Sequence, residues 1–299
     1  MTLSGTWYIM PTAFRADGEL DLGAQRQLTE AVVSWGVDGI TVLGVMGEAS
    51  TLTTDERAAV ISAVSAAAPG TPLAAGCSGP AVHAVVGHVM QARECGASFA
   101  MVSAPPLMRD VDALPGFMSA VATRGGLPLI VQDEPAATGV NLPVSILKQC
   151  LESSSSTVVK LEDPPTATKI TKLLDAAPGT AVFGGLGGAA AYFELRRGAV
   201  GTMTGFSFPE ILTELRCRLT AGDTSGAYSV YARYLPLIAF EAAPVVGLGV
   251  RKELLRRRGA LSSTAMRVSA PPSPDLLREL DEVLDAVGIT PGSAPFQPV

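Results

Sequence analysis

The chain has 299 residues, 47% hydrophobic and 17% charged, a balance that excludes a disordered chain and leaves apolar surface for a large core and for burial between subunits. A net charge of −6 and a pI near 5.1 argue against a nucleic-acid partner, and no apolar run reaches the ~18 residues of a membrane span. Cys77, Cys95, Cys150 and Cys217 are scattered with no CxxC, so neither a disulfide framework nor a zinc cluster is expected; with no basic residue ahead of a long apolar N-terminal segment, a soluble cytoplasmic protein fits.

Short apolar runs rich in β-branched residues alternate with amphipathic stretches, the pattern of repeated βα units. Strands are expected at 7–12, 39–43, 72–75, 99–103, 128–132, 157–161, 181–183 and 200–204. Helices are expected between them near 21–35, 53–70, 81–95, 113–123, 143–151, 167–174 and 188–196. In the second, Thr53 and Glu56 have capping-box spacing and Pro69-Gly70 is a stop signal. The serine run 153–156 reads as a loop between helix and strand. Eight such strands close an α/β (β/α)8 TIM barrel, for which roughly 250 residues is typical. The barrel is expected over 1–206, with a C-terminal helical region, 207–299, packed on it through helices at 209–221, 224–258 and 274–287. Arg256-Arg257-Arg258 reads as the solvated end of a helix, and the tail TPGSAPFQPV as loosely held.

A barrel of this kind carries its active site at the C-terminal ends of its strands. Those ends bring together Thr12, the turn GVMGEAS from Gly44, Ser103, Gln132-Asp133-Glu134, Lys160 to Glu162, Gly184-Gly185 and Thr204. Lys160 closes the apolar run TVVK, where an amine loses hydration at a cost in stability unless it has a task. A neutral amine in such a mouth attacks a ketone and forms an imine, whose protonated form is an electron sink; alternatively the side chain snorkels to water. Strand alternation puts Glu162 on the same side as Lys160, as a proton acceptor or donor or as its ion-pair partner. Gln132 orients a hydroxyl or the leaving water, or caps its strand. Of Asp133 and Glu134, at least one caps the loop before Pro135. Glu48 braces its own turn through backbone N–H groups, with Thr12 nearby. Ser103 and Thr204 bind substrate hydroxyls or satisfy backbone groups, and the run Gly184 to Gly188, headed by Gly184-Gly185, allows close backbone approach or a tight turn. His83 and His88 fall on the third helix, outside the barrel, which supports neither a Ser-His-Asp triad nor a histidine metal site. No Walker loop and no dinucleotide fingerprint is present.

The segments GVMGEAS, LPLIVQDEPAATGVNLP, VVKLED, GAVGTMTGFSFPE and GLGVRKELLRRRG stand in the order and spacing found in the dihydrodipicolinate synthase and N-acetylneuraminate lyase superfamily, which the chain resembles along nearly its whole length. The resemblance implies that Lys160 forms a Schiff base with a 2-keto acid, with no metal and no cofactor beyond that covalent imine, in a homotetramer. In the family, hydroxyls and amides of the second-strand turn hold the substrate carboxylate; here the hydroxyl positions are Val45 and Met46, which leaves the backbone N–H groups of Gly44 to Gly47. The family's tyrosine after the fifth strand aligns with Gln132, that after the fourth is absent from SAPPLMRD, and the arginine for a second substrate falls at Ala137. These departures resemble instead the branch containing L-2-keto-3-deoxyarabonate dehydratase, through VQDEP, KLE and GAVGTMTG. The resemblance thus implies an imine-forming lyase, foremost a 2-keto-3-deoxy sugar acid dehydratase. The alternatives are a pyruvate-dependent aldolase or dihydrodipicolinate synthase-like enzyme, and a catalytically silent keto-acid-binding barrel.

Overall fold

The computed structural model describes residues 3–292 and 294–299; Met1 and Thr2 of the expected barrel segment and Ser293 of the expected tail lie outside the described residues. Eight parallel strands close a barrel in sequence order. The first half runs β1 (Gly5–Ile9), α1 (Leu22–Ser34), β2 (Gly39–Val42), α2 (Thr54–Ala67), β3 (Leu73–Gly76), α3 (Val82–Glu94), β4 (Phe99–Ser103) and α4 (Leu114–Gly125). The second runs β5 (Leu129–Asp133), α5 (Pro135–Thr138), α6 (Val144–Ser154), β6 (Val158–Leu161), α7 (Thr166–Ala176), β7 (Ala181–Gly184), α8 (Ala191–Arg196), β8 (Gly201–Thr204) and α9 (Pro209–Thr220). The chain ends with α10 (Thr224–Glu241), α11 (Gly247–Arg257) and α12 (Pro274–Val287).

The architecture is the expected TIM barrel with C-terminal helices. α9 packs on β1, so the eighth helix of the outer ring comes from beyond residue 206. Thr53 and Glu56 close both bonds of the capping box on α2. Strand β1 ends at Ile9 rather than at 12, because Pro11 has no N–H to give a ladder. The helix expected over 224–258 is two helices. Pro244 cannot donate and disfavours helical backbone in the residue before it, and Val245 stands at φ 70. The serine run is only partly a loop: α6 absorbs Ser153 and Ser154, whose hydroxyls bond to Pro115 O and Cys150 O, and stops at the left-handed Ser155. α5, a single turn led by Pro135, has no counterpart in the expected elements.

Two expectations for the C-terminal region fail in part, for the same reason. Arg258 is buried, not solvated: its guanidinium lies 3.6 Å from the Trp35 ring centroid and 4.7 Å from that of Phe208, and it pairs with Glu210. Arg256 and Arg257 pair with Glu253. The tail returns to the same place, where Phe296 N–H donates to Glu210 Oε1 at 2.9 Å and its ring meets Phe208 and Tyr234 edge-on.

Three apolar clusters hold the molecule: one between barrel and ring helices, one among α8 to α12, and one inside the barrel. The interior cluster, including Trp7, Met101, Ile130, Val158, Phe183 and Met203, fills the barrel below the strand ends. Among the described residues no helix is long and apolar enough to cross a membrane.

Candidate active site

Register assembles the site. Ser103 pairs with Gln132, and Gln132 with Lys160, on adjacent strands. Two residues earlier, Met101, Ile130 and Val158 belong to the interior cluster; with a period of two, Ser103, Gln132 and Lys160 therefore face the same way, onto the top of that apolar floor. Glu162 N–H still donates to Asp133 O at 2.8 Å, so the pleat of β6 runs one residue past its end and carries Glu162 to the same side. A cavity of about 900 Å³ opens above them.

Lys160 Nζ lies 2.8 Å from Glu162 Oε2, and both residues are buried. The Gln132 amide nitrogen donates to Glu162 Oε2 and to Glu134 Oε2, each at 2.8 Å. Two carboxylates as partners fix which end of the amide faces them, because only nitrogen can donate. Leu186 N–H donates to Glu162 Oε1 at 3.3 Å. A Cβ on Gly185 would sit 2.3 Å from that same oxygen, so this position must lack a side chain for Glu162 to occupy its place. Glu134 is half-buried; burial, and then the charge of Glu162, push its carboxyl up to about 7, while Lys160 opposes the rise. One cation balances one carboxylate, and a second negative charge here is disfavoured.

The second-strand turn is a 3-10 turn, Val45–Gly47, flanked by the left-handed residues Leu43 and Glu48. Its first amides, on Val45 and Met46, have no acceptor within the turn. Thr12 Oγ1 donates to Gly47 O at 2.6 Å. Buried Glu48 accepts from Lys252 Nζ at 2.7 Å and from the backbone N–H groups of Arg267 and Val268 at 2.7 and 3.1 Å. Arg267 in turn reaches Glu56, Thr51 O and Gly18 O. The turn is held from both sides, with Val45 and Met46 as an apolar rim on the cavity.

Other expected residues are placed differently. Ser103 Oγ bonds to Ser78 Oγ at 2.9 Å, and both line the cavity. Thr204 also lines it, but its hydroxyl accepts from Phe206 N–H while Met203 takes the interior position. Asp133 points away from the mouth, as alternation from Gln132 requires; its Oδ2 lies 2.6 Å from Lys169 Nζ, and burial raises its carboxyl to about 6 against the pull of that lysine. The space a Gly184 side chain would fill is taken by Glu194. Gly47, Gly184 and Gly185 do not line the cavity.

Sequence reasoning missed Ser78, Arg57 and the loop around Val245, all of which line the cavity, as do Leu186 and Gly187 of the glycine run. Ser78 lies just past β3, a position that strand ends alone point to; the others come from elements whose approach only the tertiary fold creates. Among the described residues no group of three His, Cys, Asp or Glu is placed to hold a metal ion.

The chain is similar to the L-2-keto-3-deoxyarabonate dehydratase of Azospirillum brasilense, 28% identical over 287 residues, 92% of each chain. It is 37% identical to the 4-hydroxy-tetrahydrodipicolinate synthase of Xanthomonas axonopodis pv. citri over 144 residues, about half the length of either chain (48%). The crystal structure of dihydrodipicolinate synthase from Rhodopseudomonas palustris superposes with a TM-score of 0.90 at 32% identity, covering 95% of this chain and 98% of that one. With the model of the dihydrodipicolinate synthetase family matching residues 2–286, the chain belongs to that family of lyases.

Proposed function

We propose that the protein is an imine-forming lyase of 2-keto acids, and that it dehydrates a 2-keto-3-deoxy sugar acid. The observation that carries this reading is the buried contact of Lys160 with Glu162 at 2.8 Å, with the Gln132 amide on the same carboxylate. A lysine meant only to reach water would not be buried in the mouth with a fixed partner. Similarity to the Azospirillum dehydratase supports the choice of substrate class.

Glu162 takes the ammonium proton of Lys160, the freed amine attacks the C2 ketone to give a carbinolamine, and Glu162 returns that proton to the carbinolamine hydroxyl, which leaves as water to give the protonated imine and a free Glu162 carboxylate. Glu162 then removes a C3 proton, whose electron pair is drawn into the protonated imine. The C4 hydroxyl leaves from the resulting enamine, and water hydrolyses the imine to free Lys160. Burial of these groups strengthens their mutual electrostatics. The Val45 and Met46 amides hold the substrate carboxylate, and Ser103 with Ser78 meets its hydroxyls. The reaction takes a small-molecule substrate and no cofactor beyond the covalent imine. The resemblance to the family further implies a homotetramer, which light scattering on the purified chain measures directly.

Assaying 2-keto-3-deoxy sugar acids for both dehydration and retro-aldol cleavage tests the reading. Loss of water without release of pyruvate is expected; pyruvate release as the main product would replace the dehydratase with an aldolase.

A further inference from the structure

The reaction proposed above needs a second proton-transfer group, because hydroxide is a poor leaving group and must depart as water. Four carboxyl groups line the cavity among the described residues: Glu48, Glu134, Glu162 and Glu241. Glu48 is paired with Lys252 at 2.7 Å, Glu241 with Arg251 at 2.6 Å and Glu162 with Lys160 at 2.8 Å. Among the described residues no cation pairs with Glu134, and its Oε2 is held by Gln132 Nε2, the same nitrogen that holds Glu162.

We propose that Glu134 is the general acid that protonates the departing C4 hydroxyl, while Gln132 holds it beside the base Glu162 so that the two carboxyl groups act on adjacent carbons of one substrate. The assignment rests on the imine reading of the same site.

The geometry supplies the division of labour. One amide spans two carboxyl groups, and it cannot itself carry a proton between them. Lys160 touches Glu162 at 2.8 Å, whereas no cation pairs with Glu134 among the described residues. Glu134 lies farther out, half-buried, and retains its proton to about pH 7 through burial and the neighbouring charge of Glu162. The charged groups that act on it are Lys160 on β6 and Glu162 just past its end; α5, which Glu134 precedes, carries no charge, nor does the segment 104–108 whose Leu107 N–H bonds to Thr138 O. The two carboxyl groups thus share one amide but differ in partner and exposure, Glu162 buried on a cation and Glu134 half-buried without one, which is the asymmetry an acid and base pair needs.

The step balances. The C3–H pair moves into the C2–C3 bond as Glu162 takes the proton, and the imine nitrogen becomes neutral. The nitrogen lone pair then returns, C3=C4 forms, the C4–O bond breaks with its electrons on oxygen, and the Glu134 proton completes water. Glu162 is left protonated and Glu134 ionised, and both are reset through solvent in the open mouth. No oxidant or further reactant is required.

Glu134→Gln in the full chain tests the assignment, because glutamine keeps the shape and loses the transferable proton. With a 2-keto-3-deoxy sugar acid, borohydride should trap the Lys160 adduct as in the wild type, and C3 deuterium exchange should persist. Elimination of water should fall roughly 100-fold or more, and the alkaline fall in kcat near pH 7 should vanish. An analogue with chloride in place of the C4 hydroxyl, which needs no acid, should be eliminated at similar rates by both proteins. Water loss within about threefold of wild type by a variant that still forms the adduct would overturn the acid role alone, as would equal impairment with the chloride analogue. No adduct with the wild type would overturn the imine reading, and the acid role with it.

Discussion

Lys160 sits where a single charge decides the chemistry. Its partner Glu162 accounts for its burial, and Glu162→Gln should lower dehydration by about 100-fold or more, with C3 deuterium exchange lost alongside it; exchange at the wild-type rate would show that another group takes the proton. Glu194 makes a second prediction. It is buried, and neither carboxyl oxygen meets a hydrogen-bond donor of good geometry, although the Thr166 hydroxyl is close enough to oppose the rise. Burial raises its carboxyl to about 7 from the usual 4.5. The folded state therefore holds a proton that the unfolded state releases between those values, and stability contributed by the protonated form is lost as pH rises through that window. Glu194→Gln, which mimics the protonated acid, should raise Tm more at pH 8 than at pH 4; the reverse order would contradict the burial argument. Alternation made the Lys160 and Glu162 pair legible in the sequence. Glu134 was placed at the strand end but read only as a candidate loop cap, because nothing in the local sequence shows that the Gln132 amide would tie it to Glu162.

The second-strand turn shows how elements far apart in the sequence position one another. Its two ends are left-handed, and Glu48 ties it to α11 and to the segment around Arg267. Removing the Arg267 guanidinium deletes its contacts with Glu56, Thr51 O and Gly18 O while leaving Lys160 untouched. Arg267→Ala should lower stability by about 1–3 kcal/mol and raise KM for the keto acid more than it lowers kcat, measured by thermal melts and steady-state kinetics. A variant with unchanged KM would mean that the turn holds its shape without the strap. The capping box of α2 could be read from Thr53 and Glu56, but their connection to Arg267 could not, since the pattern of one helix carries no information on a segment more than two hundred residues away. The break between α10 and α11 was signalled by Pro244, yet the apolar pattern continues through it and masks the stop.

Across the whole molecule, the eightfold βα rhythm set the barrel, and repeated local patterns of that kind are the part of a fold most open to reading from sequence. What stayed hidden is the seam that joins α9 and α11 to the tail. Arg258 lies between Trp35 and Phe208 and pairs with Glu210, which also receives Phe296 N–H. A run of three arginines looks solvated until its partners are known, and those partners lie on α9, next to it, and at the end of α1. Arg258→Ala leaves Glu210 buried without a cation and should cost about 3–5 kcal/mol, whereas Arg258→Met with Glu210→Leu should recover most of that loss. Equal destabilisation of the single and double variants in denaturant unfolding would show that the aromatic stacking, rather than the ion pair, holds the seam.

The proposed chemistry depends on a covalent imine between Lys160 and a 2-keto acid. Intact-mass spectrometry after borohydride treatment with pyruvate and, separately, with 2-keto-3-deoxy sugar acids tests it most directly, with Lys160→Ala as the control. A reduced adduct mapped to Lys160 and absent from the variant is expected. No adduct with any of these acids would contradict it and leave a keto-acid-binding barrel as the better description.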